Sequence, residues 1–218
     1  CLAAKLLRVK IYLIEPNLVL GRANKLFLNF AEKLICYSKD LINLPKKFEK
    51  KIAIINPLIR KKYYENYTYN KKDNFFTIII IGGSQGAKIF DTLINEILVN
   101  ISRSCSLKVI HQTSKHNINL LEKFYNDNKI DNYVFSFDKN LIELLKQSDL
   151  CITRAGASSL AELSMLKIPF IAIPLPSSKD NHQFENAKYY KDKDCCWVID
   201  QNNFDKQKFE QLLIKISI

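Results

Sequence analysis

From residue 75 onward, short apolar runs alternate with longer stretches whose apolar positions follow a helical period. The run 76–81 (FTIIII) is continuous, as expected of a strand that is buried on both faces. The predicted strands cover residues 76–81, 107–112, 133–137, 150–153, 169–174 and 197–199. Predicted helices lie between and after them: one marked by Ile89, Leu93, Ile97 and Leu98, then 118–125, 141–146, 158–166, 181–190 and 205–216. This alternation predicts an α/β fold with a doubly wound, six-stranded parallel sheet.

Residues 1–57 show the same alternation of short apolar runs and helical stretches on a smaller scale. Strands are predicted at 9–14, 34–37 and 52–55, and a helix at 23–30. This part is too short to complete its own core, and the chain starts without Met, so we expect a fragment of a longer protein. The polar and aromatic stretch within 58–74 is predicted to link this part to a second domain over residues 75–218.

Composition and charge indicate which classes of protein and of partner are compatible with the sequence. Hydrophobic residues make up 47% and charged residues 25% of the 218 positions, an ordinary globular balance. No apolar run approaches the roughly 20 residues of a membrane-spanning helix. The net charge of +11 favours a polyanionic partner. No nucleic-acid-binding signature occurs, so we expect an anionic membrane surface or a phosphorylated ligand rather than nucleic acid.

Glycine is concentrated at one strand-to-helix turn. Three of the five glycines lie in the sequence Gly82-Gly83-Ser84-Gln85-Gly86. Such a turn lets the backbone approach a phosphate, while the following helix offers free N–H groups and Ser84 a hydroxyl. A tight turn without a ligand is the alternative. The spacing matches neither G-x-G-x-x-G nor the P-loop pattern.

A second turn of small residues follows the strand 150–153, in the sequence from Arg154 to Glu162 (RAGASSLAE). Glu162 falls about one turn into the predicted helix, where its carboxylate could accept hydrogen bonds from a ribose diol. Alternatively, Ser158 or Ser159 caps the helix and Glu162 completes a capping box. A third polar segment, 177–183, follows the strand 169–174. Its His182 and Gln183 suit sugar hydroxyls, although a lone histidine near a helix start is more often structural.

Together these segments closely resemble the MurG family of glycosyltransferases. The matching stretches are Glu15-Pro16-Asn17, Gly21-Arg22-Ala23-Asn24, Asn56-Pro57, Gly82-Gly83-Ser84-Gln85-Gly86-Ala87, His111-Gln112-Thr113, Ser148-Asp149, Arg154 to Glu162, Pro174-Leu175-Pro176 and His182 to Ala187. The resemblance runs over nearly the whole chain. It implies the glycosyltransferase-B fold, in which two Rossmann-like domains face each other. Residues 1–57 would be part of the first, acceptor-side domain, and 75–218 the nucleotide-sugar domain.

The resemblance also implies an activity. The family comprises hexosyltransferases of peptidoglycan synthesis, which transfer N-acetylglucosamine with inversion from UDP-N-acetylglucosamine to undecaprenyl-diphosphate-linked muramyl-pentapeptide. They use no cofactor and no obligatory metal, and they act at the cytoplasmic face of the plasma membrane as peripheral proteins. Two alternatives remain open: another UDP-sugar enzyme of this fold, and a non-catalytic UDP-sugar-binding remnant.

Site residues follow from the same resemblance, position by position. It implies donor-binding roles for Asn17 and Ser84, with Ser84 near the phosphates in the loop formed by Gly82, Gly83, Gln85 and Gly86. The nucleoside-binding segment is Ala157, Ser158, Ser159, Leu160, Ala161 and Glu162, with Glu162 on the ribose. Gln183 matches a sugar-contacting position, Asp138 a uracil-contacting one, and Arg60 an arginine that the family places one residue closer to Asn-Pro.

The chain departs from the family at its ends and at one motif. The glycine-rich loop and the histidine favoured as general base would lie upstream of residue 1, so no catalytic residue is assigned. The final helices that pack back onto the first domain are also missing. Pro16 stands where the family has Gln. We therefore expect this polypeptide alone to be an incomplete enzyme.

Overall fold

A computed structural model of the chain describes residues 1–60, 74–83 and 87–217. It contains two parallel sheets. The strands are β1 (Tyr12–Glu15), β2 (Lys33–Cys36), β3 (Ile52–Ile54), β4 (Phe76–Ile81), β5 (Leu107–Gln112), β6 (Asp131–Phe135), β7 (Leu150–Thr153), β8 (Phe170–Ala172) and β9 (Cys196–Val198). The helices are α1 (Leu2–Leu6), α2 (Arg22–Phe27), α3 (Asn95–Ser102), α4 (Ile118–Asp127), α5 (Leu141–Lys146), α6 (Ala157–Met165), α7 (His182–Lys191) and α8 (Lys206–Ser217). Most of the predicted linker, and Ser84, Gln85 and Gly86, lie outside the described residues.

The larger sheet has six parallel strands in the order β6-β5-β4-β7-β8-β9. After the central strand β4, the chain adds β5 and then β6 on one side of the sheet. It then returns to the centre, where β7 pairs with β4, and adds β8 and β9 on the other side. The strand order therefore reverses between β4 and β7. Open α/β sheets bind their ligands at such a switch point, outside the carboxyl ends of the strands. This confirms the predicted doubly wound sheet.

The helices cover both faces of this sheet, as the continuous apolar strands require. Successive isoleucines of β4 point to opposite faces: Ile78 and Ile80 join one core and Ile79 the other. The first core also holds apolar side chains of α3, α4 and α8, and the second those of α5, α6 and α7. Because helices cover both faces, a ligand can reach this sheet only at the ends of its strands.

The smaller sheet has the order β1-β2-β3 and one apolar core, which includes Leu13, Leu28 and Leu34. Along β1, side chains alternate between this core and the opposite face. Tyr12 and Ile14, on the opposite face, are 56% and 48% exposed. The described residues thus cover one face of this sheet.

Several element boundaries differ from the sequence prediction by one to three residues, and three differences have a clear physical reason or change the type of helix. The predicted strand 133–137 lies two residues earlier, because β6 is an edge strand that tolerates the polar residues Asp131 and Asn132. The predicted strand 9–14 begins only at Tyr12, after Arg8 ends α1 in a left-handed conformation (φ 54°). The helix after the glycine turn includes a π-helical stretch, Phe90–Ile94, before α3.

Candidate functional site

Two turns flank the switch point of the six-stranded sheet. One begins with Gly82 and Gly83 after β4, and the other runs from Arg154 to Gly156 after β7. Gly83 has φ +82°, a left-handed conformation that favours glycine, and an added Cβ would meet no atom of the described residues within 4 Å. The backbone there is open to an approaching ligand. The sequence analysis predicted a ligand-binding turn at this location. The rest of the glycine loop, from Ser84 to Gly86, lies outside the described residues.

Arg154 supplies positive charge at this point, although the sequence analysis gave it no role in the site. Its Nη1 donates to the carbonyl oxygens of Ile173 and Pro174, at 2.9 and 3.3 Å, beyond the end of β8. Its guanidinium carbon lies 5.1 Å from the centre of the Phe90 ring. Burial lowers the pKa of Arg154, yet an arginine remains protonated in proteins. The sequence feature that could have pointed to Arg154 is a cation placed directly after a buried strand.

Helix α6 starts earlier than the capping-box interpretation requires. Its N-cap is Gly156, so Glu162 is the sixth helical residue and not the third. That alternative is wrong. The side chain of Ser158 is exposed at the helix start, whereas those of Leu160 and Ala161 are buried in the core. Leu160 has no exposed surface, so any contact that it made with a ligand would have to come from its backbone.

The Glu162 carboxylate is held by Arg60 from the segment that follows β3. Nε and Nη2 of Arg60 donate to Oε1 and Oε2, each at 3.0 Å. The Glu162 side chain is 14% exposed and that of Arg60 51%. The structure thus brings together two residues that the sequence analysis assigned separately, and it occupies both carboxylate oxygens with one guanidinium.

Asn17 belongs to a buried network that joins the two sheets. Asn186 of α7 accepts from the backbone N–H of Leu18 at 3.0 Å and donates to Asn17 Oδ1 and to the carbonyl of Ala155, at 3.0 and 3.2 Å. Asn17 also donates to Glu15, a buried carboxylate at the end of β1. Asn186 therefore ties the residues after β1 to the turn after β7. The sequence analysis gave it no role, because its partners are more than 30 residues away.

The remaining predicted residues make local contacts. Gln183 accepts from the backbone N–H of Leu175 at 2.9 Å, which fixes the start of α7 against the end of β8. Asp138 accepts from the hydroxyl of Tyr133 at 2.9 Å and from the backbone N–H of Asn140 at 2.6 Å. The His182 ring Nδ1 lies 2.7 Å from the carbonyl of Lys179, a contact within its own turn.

A second bidentate ion pair crosses between the two sheets. Arg22 of α2 donates to both oxygens of Asp180, at 3.0 and 2.9 Å. Hydrogen bonding to Arg22 lowers the pKa of Asp180. A cleft of about 560 Å³ lies between the two parts of the chain, lined among others by Ile54, Asn56, Ala157 and Tyr190. The two parts therefore meet through polar contacts around an open cleft.

The described residues contain neither a metal site nor a membrane-spanning helix. No group of three or more His, Cys, Asp or Glu residues in this part of the chain is arranged to hold a metal ion. No helix among residues 1–60, 74–83 and 87–217 has the length and apolarity needed to cross a bilayer.

A doubly wound parallel sheet with a glycine turn and a half-buried arginine at its switch point is typical of the α/β domains that bind nucleotides. Within that class the chain belongs to glycosyltransferase family 28: the model of the family's C-terminal domain matches residues 77–217. This match covers the six-stranded sheet and the helices on both its faces.

Curated relatives extend the similarity over almost the whole chain. A protein of Pelagibacter ubique named UDP-N-acetylglucosamine--N-acetylmuramyl-(pentapeptide) pyrophosphoryl-undecaprenol N-acetylglucosamine transferase is 44% identical over 216 residues, 99% of this chain and 61% of the relative. A protein of the same name from Rickettsia felis is 36% identical over 98% of this chain and 62% of its own length. The chain thus spans about three fifths of these relatives.

A solved structure agrees with the fold. The crystal structure of Acinetobacter baumannii MurG superposes with a TM-score of 0.81 at 23% identity, covering all of this chain and 61% of that one. The predicted glycosyltransferase-B type of α/β fold is confirmed.

Proposed function

We propose that this chain forms the nucleotide-sugar-binding part of an N-acetylglucosaminyltransferase of peptidoglycan synthesis. The donor is UDP-N-acetylglucosamine, and the acceptor is undecaprenyl-diphosphate-linked muramyl-pentapeptide. The names of the relatives, at 44% and 36% identity, support these substrates. The observation that carries the proposal is the pair of turns, after β4 and after β7, on either side of the switch point.

The donor would lie across this switch point. Its diphosphate meets the loop from Gly82 to Ala87, including Ser84, and its ribose meets Glu162. Arg60 uses one acceptor site on each oxygen of that carboxylate, and each oxygen keeps a second lone pair that could accept from a ribose hydroxyl. Asn17 and Gln183 would contact the sugar.

The chemical step requires stabilisation of a leaving group. As the acceptor hydroxyl attacks the anomeric carbon, the bond to UDP breaks and negative charge grows on the diphosphate. Backbone N–H groups of the glycine loop, the dipole of the following helix and the Arg154 guanidinium are the groups of this chain that can offset it. Loss of one such donor costs about 3–4 kcal/mol in well-studied enzymes.

Each of the two sheets would belong to a domain that binds one of the two substrates. Residues 1–57 would form part of the acceptor-side domain, 58–74 the linker, and 75–218 the donor domain. Exposed apolar side chains at the start of the chain, Leu2, Leu6 and Leu7, alternate with the cations Lys5 and Arg8. This surface and the net charge of +11 support binding to the anionic, cytoplasmic face of a membrane that carries the acceptor.

Calorimetric titration with nucleotides tests the proposal. The chain is expected to bind UDP and UDP-N-acetylglucosamine with similar affinity and uridine more weakly, because only the first two carry a diphosphate. ADP is the matched control, since it has the same diphosphate on a different base. Equal affinity for UDP and ADP, or no binding of either, would contradict a UDP-sugar site.

A further inference from the structure

The side-chain amide of Asn186 contacts the residues after β1 and the turn after β7 at the same time. It lies on α7 and is 2% exposed. Gln183, which is proposed to contact the sugar, precedes it by three positions, and residues three apart lie on the same face of a helix. Helix α7 therefore directs both side chains to the side where the two parts of the chain meet.

Two backbone groups fix the orientation of the Asn186 amide. A backbone N–H only donates and a carbonyl only accepts, so the oxygen of the amide faces Leu18 and its nitrogen faces Ala155. The reversed amide would set donor against donor and acceptor against acceptor in a buried site, which is costly. The nitrogen also lies 3.0 Å from the side chain of Asn17, so the Asn17 atom at that point must be its oxygen, Oδ1.

The nitrogen end of Asn17 therefore faces Glu15. Its Nδ2 donates to Oε1 of Glu15 at 3.0 Å, and that oxygen also accepts from the backbone N–H of Asn17 at 3.2 Å. The other carboxylate oxygen accepts from the backbone N–H of Gly21 at 2.7 Å. Glu15 and Asn186 thus hold the two ends of the Asn17 amide, and backbone groups decide which end is which.

Asn17 keeps the capacity for two further hydrogen bonds. A side-chain amide has two N–H groups and two oxygen lone pairs, and contacts within the described residues use one of each. Asn17 lines a cavity of about 440 Å³, to which Lys179 and His182 of the larger domain also contribute. A sugar hydroxyl both donates and accepts, so it matches what remains on Asn17. An Asn17 amide turned over would offer the donor and the acceptor in exchanged places.

We propose that Asn186 is a positioning residue that orients Asn17 for the donor sugar. It acts through Asn17 and does not touch the ligand. The same amide holds the carbonyl of Ala155, directly before the N-cap Gly156 of the helix that carries the proposed nucleoside-binding segment. One buried side chain therefore links the nucleoside and sugar parts of the site. The inference rests on the proposed function, since it takes Asn17 as a sugar-contacting residue.

A mutant cycle that reports on the sugar alone tests this role. Calorimetry measures the ratio of the UDP-N-acetylglucosamine affinity to the UDP affinity, because the two ligands share the nucleotide. Asn17→Ala and Asn186→Ala are each expected to lower this ratio about two- to tenfold, the effect of one hydrogen bond. The double variant is expected to stay within about 1.5-fold of Asn17→Ala, because Asn186 reaches the sugar only through Asn17.

Asn95→Ala is the matched control for the loss of a buried asparagine. Asn95 is also 2% exposed, and it accepts from the hydroxyl of Tyr125 and donates to the carbonyl of Asp91. Its replacement is expected to lower stability but to leave the affinity ratio within about 1.5-fold of the original. A purely structural role for Asn186 predicts that both replacements lower the ratio equally, or that the effects of Asn17→Ala and Asn186→Ala add in the double variant. Either result overturns the proposal.

Hydrogen exchange of the Asn186 side-chain amide tests the geometry without any ligand and without a change at position 186. Its nitrogen donates to both Asn17 and Ala155, so its hydrogens are expected to exchange much more slowly than those of exposed asparagines. In Asn17→Ala, which removes one acceptor, the exchange is expected to quicken, while that of the Asn95 amide stays unchanged. Exchange of the Asn186 amide at the exposed rate in the unsubstituted chain overturns the proposal, whether or not Asn186→Ala folds.

Failure of this inference and failure of the proposed function give different results. A chain that binds both ligands, but whose folded Asn186→Ala variant keeps the original affinity ratio, overturns only the positioning role. An unchanged ratio in Asn17→Ala overturns the sugar contact of Asn17 and with it this inference. A chain that binds neither ligand overturns the proposed function as well. Circular dichroism and UDP affinity show that each variant is folded.

Discussion

At the scale of single residues, the structure differs from the sequence analysis mainly in what the charged groups contact. Glu162 was expected to face a ribose or to cap a helix, and instead it is paired with Arg60 across about 100 positions of sequence. A pair so distant in sequence cannot be deduced from spacing, because only the fold brings the segment after β3 to α6. The pairing fixes the position of the Glu162 carboxylate on α6.

Replacing Glu162 tests its role in nucleotide binding. Glu162→Ala is expected to weaken UDP and uridine alike, by about 1.5–3 kcal/mol, because charge-assisted hydrogen bonds to the ribose would be lost from both. Calorimetry measures this, with Glu143→Ala as the matched control, since Glu143 also pairs with a cation but lies on α5. Unchanged nucleotide affinity in a folded Glu162→Ala protein would refute the ribose assignment.

Asp91 makes stability depend on pH in a defined direction. Its pKa lies below the ordinary value of 3.8 because hydrogen bonds from His111, Asn117 and Thr113 outweigh the effect of burial. A lowered pKa contributes stability that is complete above the unfolded value and is lost as pH falls through the folded value. Urea unfolding between pH 7 and about pH 2 is expected to show the unsubstituted chain losing stability relative to Asp91→Asn only below about pH 4. A difference that does not change with pH would contradict this account.

At the scale of elements, hydrophobic periodicity predicted the strands and helices well where they are buried on both faces. For β4, β5 and β7 the predicted and observed bounds coincide, since continuous apolar runs end where the chain meets polar turns. Prediction failed by two residues at β6, an edge strand with polar residues, and by one at the start of α6, where Gly156 caps the helix. The hydrogen bonds of Asn186 could not be predicted, because they depend on how two sheets meet.

Asn186 should stabilise the junction between the elements of the two sheets. Asn186→Ala leaves the buried Leu18 N–H and Ala155 carbonyl without that partner, at an expected cost of about 1–3 kcal/mol in unfolding free energy. Chemical denaturation measures it. Asn132→Ala is the matched control, since Asn132 of the edge strand β6 hydrogen-bonds to Asn126 and Ile130, both within six positions, and its loss is expected to cost at most about 0.5 kcal/mol. Equal effects of the two changes would argue against a special role for Asn186.

At the scale of the whole molecule, the positive charge and the apolar start of the chain suggest a membrane surface. The chain is expected to co-sediment with vesicles rich in anionic lipid and to be released as salt rises, because exposed charges are screened. Vesicles of neutral lipid are the control. Equal binding to both kinds of vesicle, or binding that salt does not weaken, would contradict the electrostatic part of this account.

The central claim is that a UDP nucleotide binds at the switch point of the six-stranded sheet. Titration of the nitrogen-15-labelled chain with UDP, followed in proton–nitrogen spectra, tests it most directly. The account predicts saturable shifts concentrated at the backbone amides of Gly83 and Gly156, at the carboxyl ends of β4 and β7. Shifts confined to the opposite edge of the sheet, in the cavity lined by Lys167, Phe170 and Trp197, or no saturable shifts at all, would contradict it.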